Sequence, residues 1–367
     1  MDKYRKWLIL LILLTGCGDQ RILEDQAMVQ TITYDLAGKQ NGMDQIQVSA
    51  ALPLAKKEES QKIISTKAKS MLEAQMKASE QTDWDIVHGQ LRTVLFGKSV
   101  AKKGLSSYCD TLERDPSVGH RTHIMITNGN AAKMLFDNYQ QQKGTYEYID
   151  QLIEKESKNN RLPEINSYQF MRDLYDDGID PVAPQLVKKK KHVEVDGIAL
   201  FRDDHYITYL DSSMGPFYML LTKTVKKGRL TFTWEGGKNR EAELLTFSIT
   251  DSDQKIDIKR SVRHPFALVI SVNVKGTVLE YMGEGNIANP NQHSRIEKKM
   301  EKHLKEKMKK VVAFTQKHRV DSLGIGKVVR NSLNYEEWNK LNWRETYSNI
   351  PITIHTDVQL RDYGRVN

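Results

Sequence analysis

Asp180-Pro181-Val182-Ala183-Pro184, followed by Lys188-Lys189-Lys190-Lys191, is the stretch that divides the chain. Two prolines remove backbone donors and four like charges resist compaction, so a linker is expected at about 180–192. Upstream, strands and helices are mixed. Met28 to Asp35 and Asp44 to Leu52 alternate and are β-rich, with Gly38 to Gly42 between them. The spacing of Ile63, Ile64, Ala68, Met71, Leu72 and Met76 predicts a helix opening at Ser60 and running to about Ser79. Residues 86–100 and His123 to Thr127 read as strands, and Asn130 as a helix cap. Further helices are expected at about 145–157 and 167–177, the second capped by Ser167 and stopped by Gly178.

Downstream of the break the pattern is strand-dominated. Val195 to Leu200 and Tyr206 to Leu210 flank the turn Arg202-Asp203-Asp204. Four more strand-like stretches follow: Tyr218 to Thr224, Arg229 to Trp234, Ala242 to Thr250 and Phe266 to Leu279. Ser294-Arg295-Ile296-Glu297 reads as a capping box opening a long helix to about 317, with Ile296, Met300, Leu304, Met308 and Val311 as its apolar stripe. Lys or Arg at 295, 298, 299, 302, 305, 307, 309 and 310 face Glu only at 297, 301 and 306. That excess suits either anionic lipid or a solvated face. A helix from Tyr335 to Tyr347 and a strand from Ile350 to Gln359 close the chain.

The 367 residues carry a net charge of +8 and 39% hydrophobic residues, enough for packed cores. No apolar run reaches the ~18 residues that span a bilayer, and the mean hydropathy is −0.57, which excludes a polytopic membrane protein. At the N-terminus a basic segment (Lys3, Arg5, Lys6) precedes the apolar Trp7 to Leu14, too short to span and shaped as an export signal. It ends in Leu14-Thr15-Gly16-Cys17, which resembles the bacterial lipobox. The resemblance implies cleavage after Gly16 and a Cys17 that is S-diacylglycerylated and N-acylated, an anchor of two or three chains. Removing residues 1–16 takes away three positive charges (Lys3, Arg5, Lys6) and one negative (Asp2), so +8 becomes +6.

Chemistry is sparse. Only two cysteines are present, so Cys109 has no disulfide partner once Cys17 is lipidated, and it reads as core filler rather than as a thiol nucleophile. His120 and His123 lack the converging ligands zinc needs. Gly324-Ile325-Gly326 lacks the rest of a phosphate loop, and Asp251 and Asp253 read as turn residues. Aromatic and basic residues are not interleaved as a single-strand nucleic-acid binder requires, and the lysine run reads as a solvated connection. No catalytic residue, metal site or cofactor is expected.

Over essentially its whole length the chain resembles the Ger(x)C lipoprotein family, the C subunits of GerA-type spore germinant receptors. The resemblance rests on Cys17, Asp19, Leu23, Glu24 and the strand Val29 to Asp35, and on Gly89, Arg92, Thr93, Phe96 and Gly97. It continues through Arg114-Asp115-Pro116, Gly178 to Pro184, Gly197 to Arg202, Asp321 to Gly326, Trp338 and Trp343. Gly18 stands where the family commonly has tryptophan, and Arg361 to Gly364 differ from its usual ending. The family implies an α+β fold of three domains of mixed sheet with surrounding helices. The expected division is a signal peptide at 1–16, a spacer at 17–27, and units at 28–185, 193–245 and 246–365. It also implies a non-enzymatic subunit on the outer face of the spore inner membrane, acting with integral membrane subunits A and B. The rival reading, a solute-binding lipoprotein of an ABC-type uptake system, calls for two similar α/β lobes around a cleft.

Overall fold

Val182–Lys188, expected as a linker, is a strand whose first five residues are buried, and it lies inside a sheet. The computed structural model describes residues 26–53, 61–137, 139, 144–234, 242–259, 266–283 and 289–362. The described residues begin with β1 (Gln26–Met28), β2 (Thr31–Gln40), β3 (Met43–Pro53), β4 (Gln61–Ala68), α1 (Met71–Ser79), β5 (Asp85–Val87) and β6 (Thr93–Gly97). They continue through α2 (Lys98–Ala101), α3 (Ser106–Arg114), β7 (His123–Thr127), α4 (Ala131–Phe136), α5 (Thr145–Lys158), α6 (Ser167–Tyr175), β8 (Val182–Lys188), β9 (Val193–Arg202) and β10 (His205–Asp211). Then come α7 (Gly215–Thr222), β11 (Gly228–Trp234), β12 (Glu243–Lys259), β13 (Ala267–Met282), α8 (Pro290–His318), α9 (Ile325–Arg330), α10 (Tyr335–Lys340), α11 (Trp343–Asn349) and β14 (Ile352–Asp362).

The fold is α+β with mixed sheets, as expected. An eight-stranded sheet runs β10-β9-β8-β7-β6-β2-β3-β4, and β1 and β5 form a parallel pair beside it. Its centre, β8-β7-β6-β2, is parallel; the flanks β2-β3-β4 and β8-β9-β10 are antiparallel hairpins. A second sheet runs β11-β12-β13-β14, with only its last pairing parallel. Alternation builds it: Leu268, Ile270, Val272, Val274 and Val278 of β13 are buried, and the intervening residues are partly exposed. The whole predicted stripe of α8 is buried, and the helix packs on β14 and α7.

Where expectation and structure differ, the reason is local. Pro184 is tolerated in β8 because β7 reaches β8 only at Gln185 and Leu186, so its missing N–H costs no ladder bond there. The strands of 193–245 divide between the two sheets: β9 and β10 extend the first, β11 opens the second. Residues 61–68 are β4, not helix; β-branched Ile63, Ile64 and Thr66 pair with β3, and the true helix start is Ser70, whose side chain accepts from Glu73 N–H. The single strand expected at 86–100 is β5, a turn and β6, followed by α2. Tyr218 to Thr222 of the stretch expected as a strand belong to α7, where Tyr218 to Leu221 are all buried and leave no period to read. Asp251 and Asp253 lie mid-strand in β12, opposite Lys275 and Asn273. α8 starts at Pro290 under an Asn289 cap, ahead of Ser294, and the helix expected at 335–347 is two, with Asn342 capping the second. Asn166, not Ser167, caps α6.

Candidate functional site

Strand order reverses between β2 and β6: from β2 the chain moves outward to β3 and β4, from β6 to β7 and β8. Open sheets of this kind receive ligands beyond the strand carboxyl ends at such a point. Here a side chain of the protein occupies it. The Asp35 carboxylate, 2% exposed, accepts from Ala131 and Ala132 N–H at 2.8 Å each, the first amides of α4. Gly97 ends β6 alongside, and a Cβ there would run into Asp35 Oδ1. Burial pushes the Asp35 carboxyl up, opposed by the two amides. Asp35→Ala leaves two buried donors unpaired, at ~1–3 kcal/mol each. A loss of about 3 kcal/mol in urea unfolding is expected; an unchanged midpoint would show that Asp35 does not hold α4.

A second joint ties the two sheets together. The loop after α6 carries Gly178 and Asp180; the segment between α8 and α9 carries Asp321 and Gly324, and the first turn of α9 carries Gly326. Asp180 Oδ2 accepts from Asp321 N–H at 2.7 Å, and Asp180 N–H donates back to Asp321 C=O at 2.9 Å. Asp321 in turn accepts three donors: Ile325 N–H (3.1 Å), Gly326 N–H (2.6 Å) and the Trp343 indole N–H (3.0 Å). Burial pushes the Asp321 carboxyl up to about 7 against the pull of the Gly326 and Ile325 amides, with the nearby Asp180 charge adding to the rise. Lys327 N–H donates to Gly178 C=O at 3.0 Å. The two backbones meet so closely that a Cβ on Gly178 would stand 2.5 Å from the Gly326 carbonyl carbon.

Polar contacts surround this core. Arg344 pairs with Asp203 and lies 3.9 Å from Asp180; Arg330 pairs with Asp176 at 2.6 Å. Tyr218 OH donates to Ser322 C=O at 2.8 Å, and Arg202 donates to His318 C=O at 2.8 Å. Trp338, Trp343 and Tyr347 form an aromatic row with centroid separations of 5.7 and 5.9 Å. A cavity of about 310 Å³ opens beside it, bounded by Leu174, Ile179, Arg319 and the two tryptophans. The carboxylates of Asp176, Asp180, Asp203 and Asp321 are all taken up by neighbours, while Arg202 Nε and Ser322 Oγ are buried without a hydrogen-bond partner; the geometry is that of a close-packed joint.

Of the residues singled out in the sequence, Cys17 lies outside the described residues. Cys109 is fully buried in α3, and burial pushes its thiol well above the usual range. His120 and His123 do not converge. His120 is exposed near Glu113 (3.4 Å), while His123 pairs with Asp150 (3.3 Å) and Glu164 (3.6 Å); no cluster of three metal-binding side chains occurs among the described residues. The lysine run forms the exposed end of the β8–β9 hairpin, with Lys189 near Glu194 at 3.6 Å. Gly324 takes a left-handed turn (φ 69°). The roles of Asp35, Asp180 and Asp321 were not read from the residues; an aspartate three residues before Gly-x-Gly was the available signal for the last.

The His123–Asp150 pair links β7 to α5 with both side chains about 15% exposed. Desolvation lowers the His123 value, but Asp150 and Glu164 outweigh it and raise the imidazole overall; His123 and Arg92 hold Asp150 low against its own burial. The histidine's contribution is therefore full below its unfolded value and lost as pH rises through its folded one. The aspartate's contribution is lost as pH falls through its lowered value. A Tm series from pH 5 to 9 (range set by ~6.5 for free histidine) is expected to decline on the alkaline side in the wild type and to be flatter in His123→Gln. Parallel curves would refute the pairing.

Residues 19–188 match the family described as spore germination protein N-terminal domain, and residues 196–364 that described as spore germination B3/GerAC like, C-terminal. The chain belongs to this Ger(x)C family, the C subunits of spore germinant receptors. It is 28% identical over 364 residues to spore germination protein GerQC of Bacillus cereus, with 99% of each chain covered. To spore germination protein KC of Bacillus subtilis (strain 168) it is 23% identical over 395 residues, covering 98% of this chain and 95% of that protein. The crystal structure of the GerBC protein shares the fold, with a TM-score of 0.60 at 16% identity over 92% of this chain and 99% of that one. The uptake-system alternative finds no support in these matches, and the two sheets differ in size and strand order rather than forming similar lobes.

Proposed function

We propose that the chain is the lipid-anchored C subunit of a nutrient germinant receptor, standing on the outer face of the spore inner membrane and working with two integral membrane subunits, A and B. It acts by contact, not catalysis. The observation that carries this reading is that both halves match spore germination domains, while the family-pattern residues Gly97, Asp180, Asp321, Gly326 and Trp343 build joints whose carboxylates are already satisfied. No helix among the described residues is long and apolar enough to cross a membrane. Attachment then falls to Cys17, where two or three acyl chains at ~0.8 kcal/mol per buried methylene hold stably.

Cys17→Ala is expected to abolish incorporation of labelled fatty acid, release the protein from the spore membrane fraction and impair germination by the cognate nutrient. Wild-type germination in spores that demonstrably lack both lipidation and attachment would contradict an anchoring role.

A further inference from the structure

The long basic helix α8 distributes its charges unevenly. Its apolar stripe is buried, and two of the three glutamates between 295 and 310 turn inward with it: Glu297 accepts from Leu360 N–H at 3.0 Å and Glu301 from Val358 N–H at 3.3 Å, along the edge of β14. Arg295 and Lys299 are engaged with Glu243 at 3.4 and 2.6 Å. Of the six basic residues that remain, Lys298, Lys302 and Lys309 are exposed and Lys305 half-buried on the outer side, flanked by exposed Lys310 and with Glu306 the acid among them; Lys307, half-buried, lies nearer the apolar stripe. The spacing of four, three and four residues aligns the first four lysines in one stripe about 16 Å long at 1.5 Å per residue. None of the five outer lysines has an ion-pair partner among the described residues.

We propose that this face of α8 rests on the anionic headgroups of the membrane to which the chain is tethered. The inference rests on the Cys17 anchor of the proposed function. Eight residues lie between Cys17 and Gln26, a span of nine steps, so β1 starts within about 30 Å of the lipid at full extension of ~3.4 Å per step. The stripe is built of lysine alone. Lysine is a hydrated point charge suited to a diffuse anionic surface, whereas protein interfaces favour arginine and aromatics and are depleted in lysine. Each basic residue near such a surface adds attraction that decays within a Debye length.

The test uses the lipidated full chain in vesicles of neutral lipid and in vesicles with about 30% phosphatidylglycerol, read by amine acetylation and mass spectrometry. Labelling of Lys298, Lys302, Lys305, Lys309 and Lys310 is expected to fall about threefold on the anionic vesicles and to recover as salt rises from about 0.05 to 0.5 M. Lys190 on the β8–β9 hairpin serves as the reference, its labelling unchanged. In the variant Lys298→Glu, Lys302→Glu, Lys305→Glu, Lys309→Glu, protection at Lys310 is expected to vanish. Equal labelling of the stripe on both vesicles, with the protein attached to each, overturns this proposal and leaves the anchor intact; failure to attach to either overturns the anchor. Protection that appears only with partner membrane proteins in neutral lipid assigns the stripe to an acidic protein surface and overturns the proposal.

Discussion

Asp321→Ala is expected to remove about 4 kcal/mol of stability, from two buried amides and a part-buried indole N–H left unpaired at ~1–3 kcal/mol each less the relief of no longer burying a carboxylate. The donors are fixed. Ile325 and Gly326 N–H belong to the first turn of α9, and the Trp343 indole is held between Trp338 and Tyr347. Against a total stability of ~5–15 kcal/mol, the loss is large enough to shift the urea midpoint by a molar or more. Asp321→Asn keeps the size and one acceptor, but sets an NH₂ against groups that only donate. It is expected to lose about 2 kcal/mol. A midpoint within error of wild type for both variants would mean that the joint does not depend on Asp321.

Gly178→Ala should be comparably damaging for a different reason. The residue has φ 88°, and the added Cβ would meet the Gly326 carbonyl carbon at 2.5 Å and Lys327 N at 2.7 Å. Both are backbone, so no side chain can swing aside. A left-handed alanine costs ~1–2 kcal/mol and the overlap a further ~1–3, giving a combined loss of about 4 kcal/mol. Gly42 is the control: its φ is 78°, but a Cβ there meets nothing within 4 Å, so Gly42→Ala carries the conformational term alone. In Gly178→Ala the joint is expected to open first, seen as proteolytic cleavage at 176–180 or 321–326. Equal stability of the two alanine variants would remove the case for close backbone packing at the joint.

How legible the molecule was depends on the kind of signal. Helix α8 and strand β13 follow from periodicity, because each buries one face and exposes the other. Residues 61–68 carry two signals at once: Ile63, Ile64, Ala68 and Met71 satisfy a helical spacing, while the β-branched run favours the strand that forms. Tyr218 to Leu221 leave no period to read, being buried on every side. The two family matches end at residue 188 and begin at 196, and the eight-stranded sheet runs through the composition break at 180–192. The joint itself joins Asp180 to Asp321 across 141 residues, a pairing no local pattern carries. The family resemblance flagged its glycines and tryptophans, and only the structure shows that Gly178 and Gly326 meet.

The proposed partnership with two membrane subunits is tested most directly by affinity purification of a tagged chain, through its C-terminal end, from detergent-solubilised spore inner membranes. The expected result is co-purification of two multispanning proteins, retained in wild type and diminished in Cys17→Ala. Recovery of the lipidated protein alone, or with the permease of an uptake system, would contradict it.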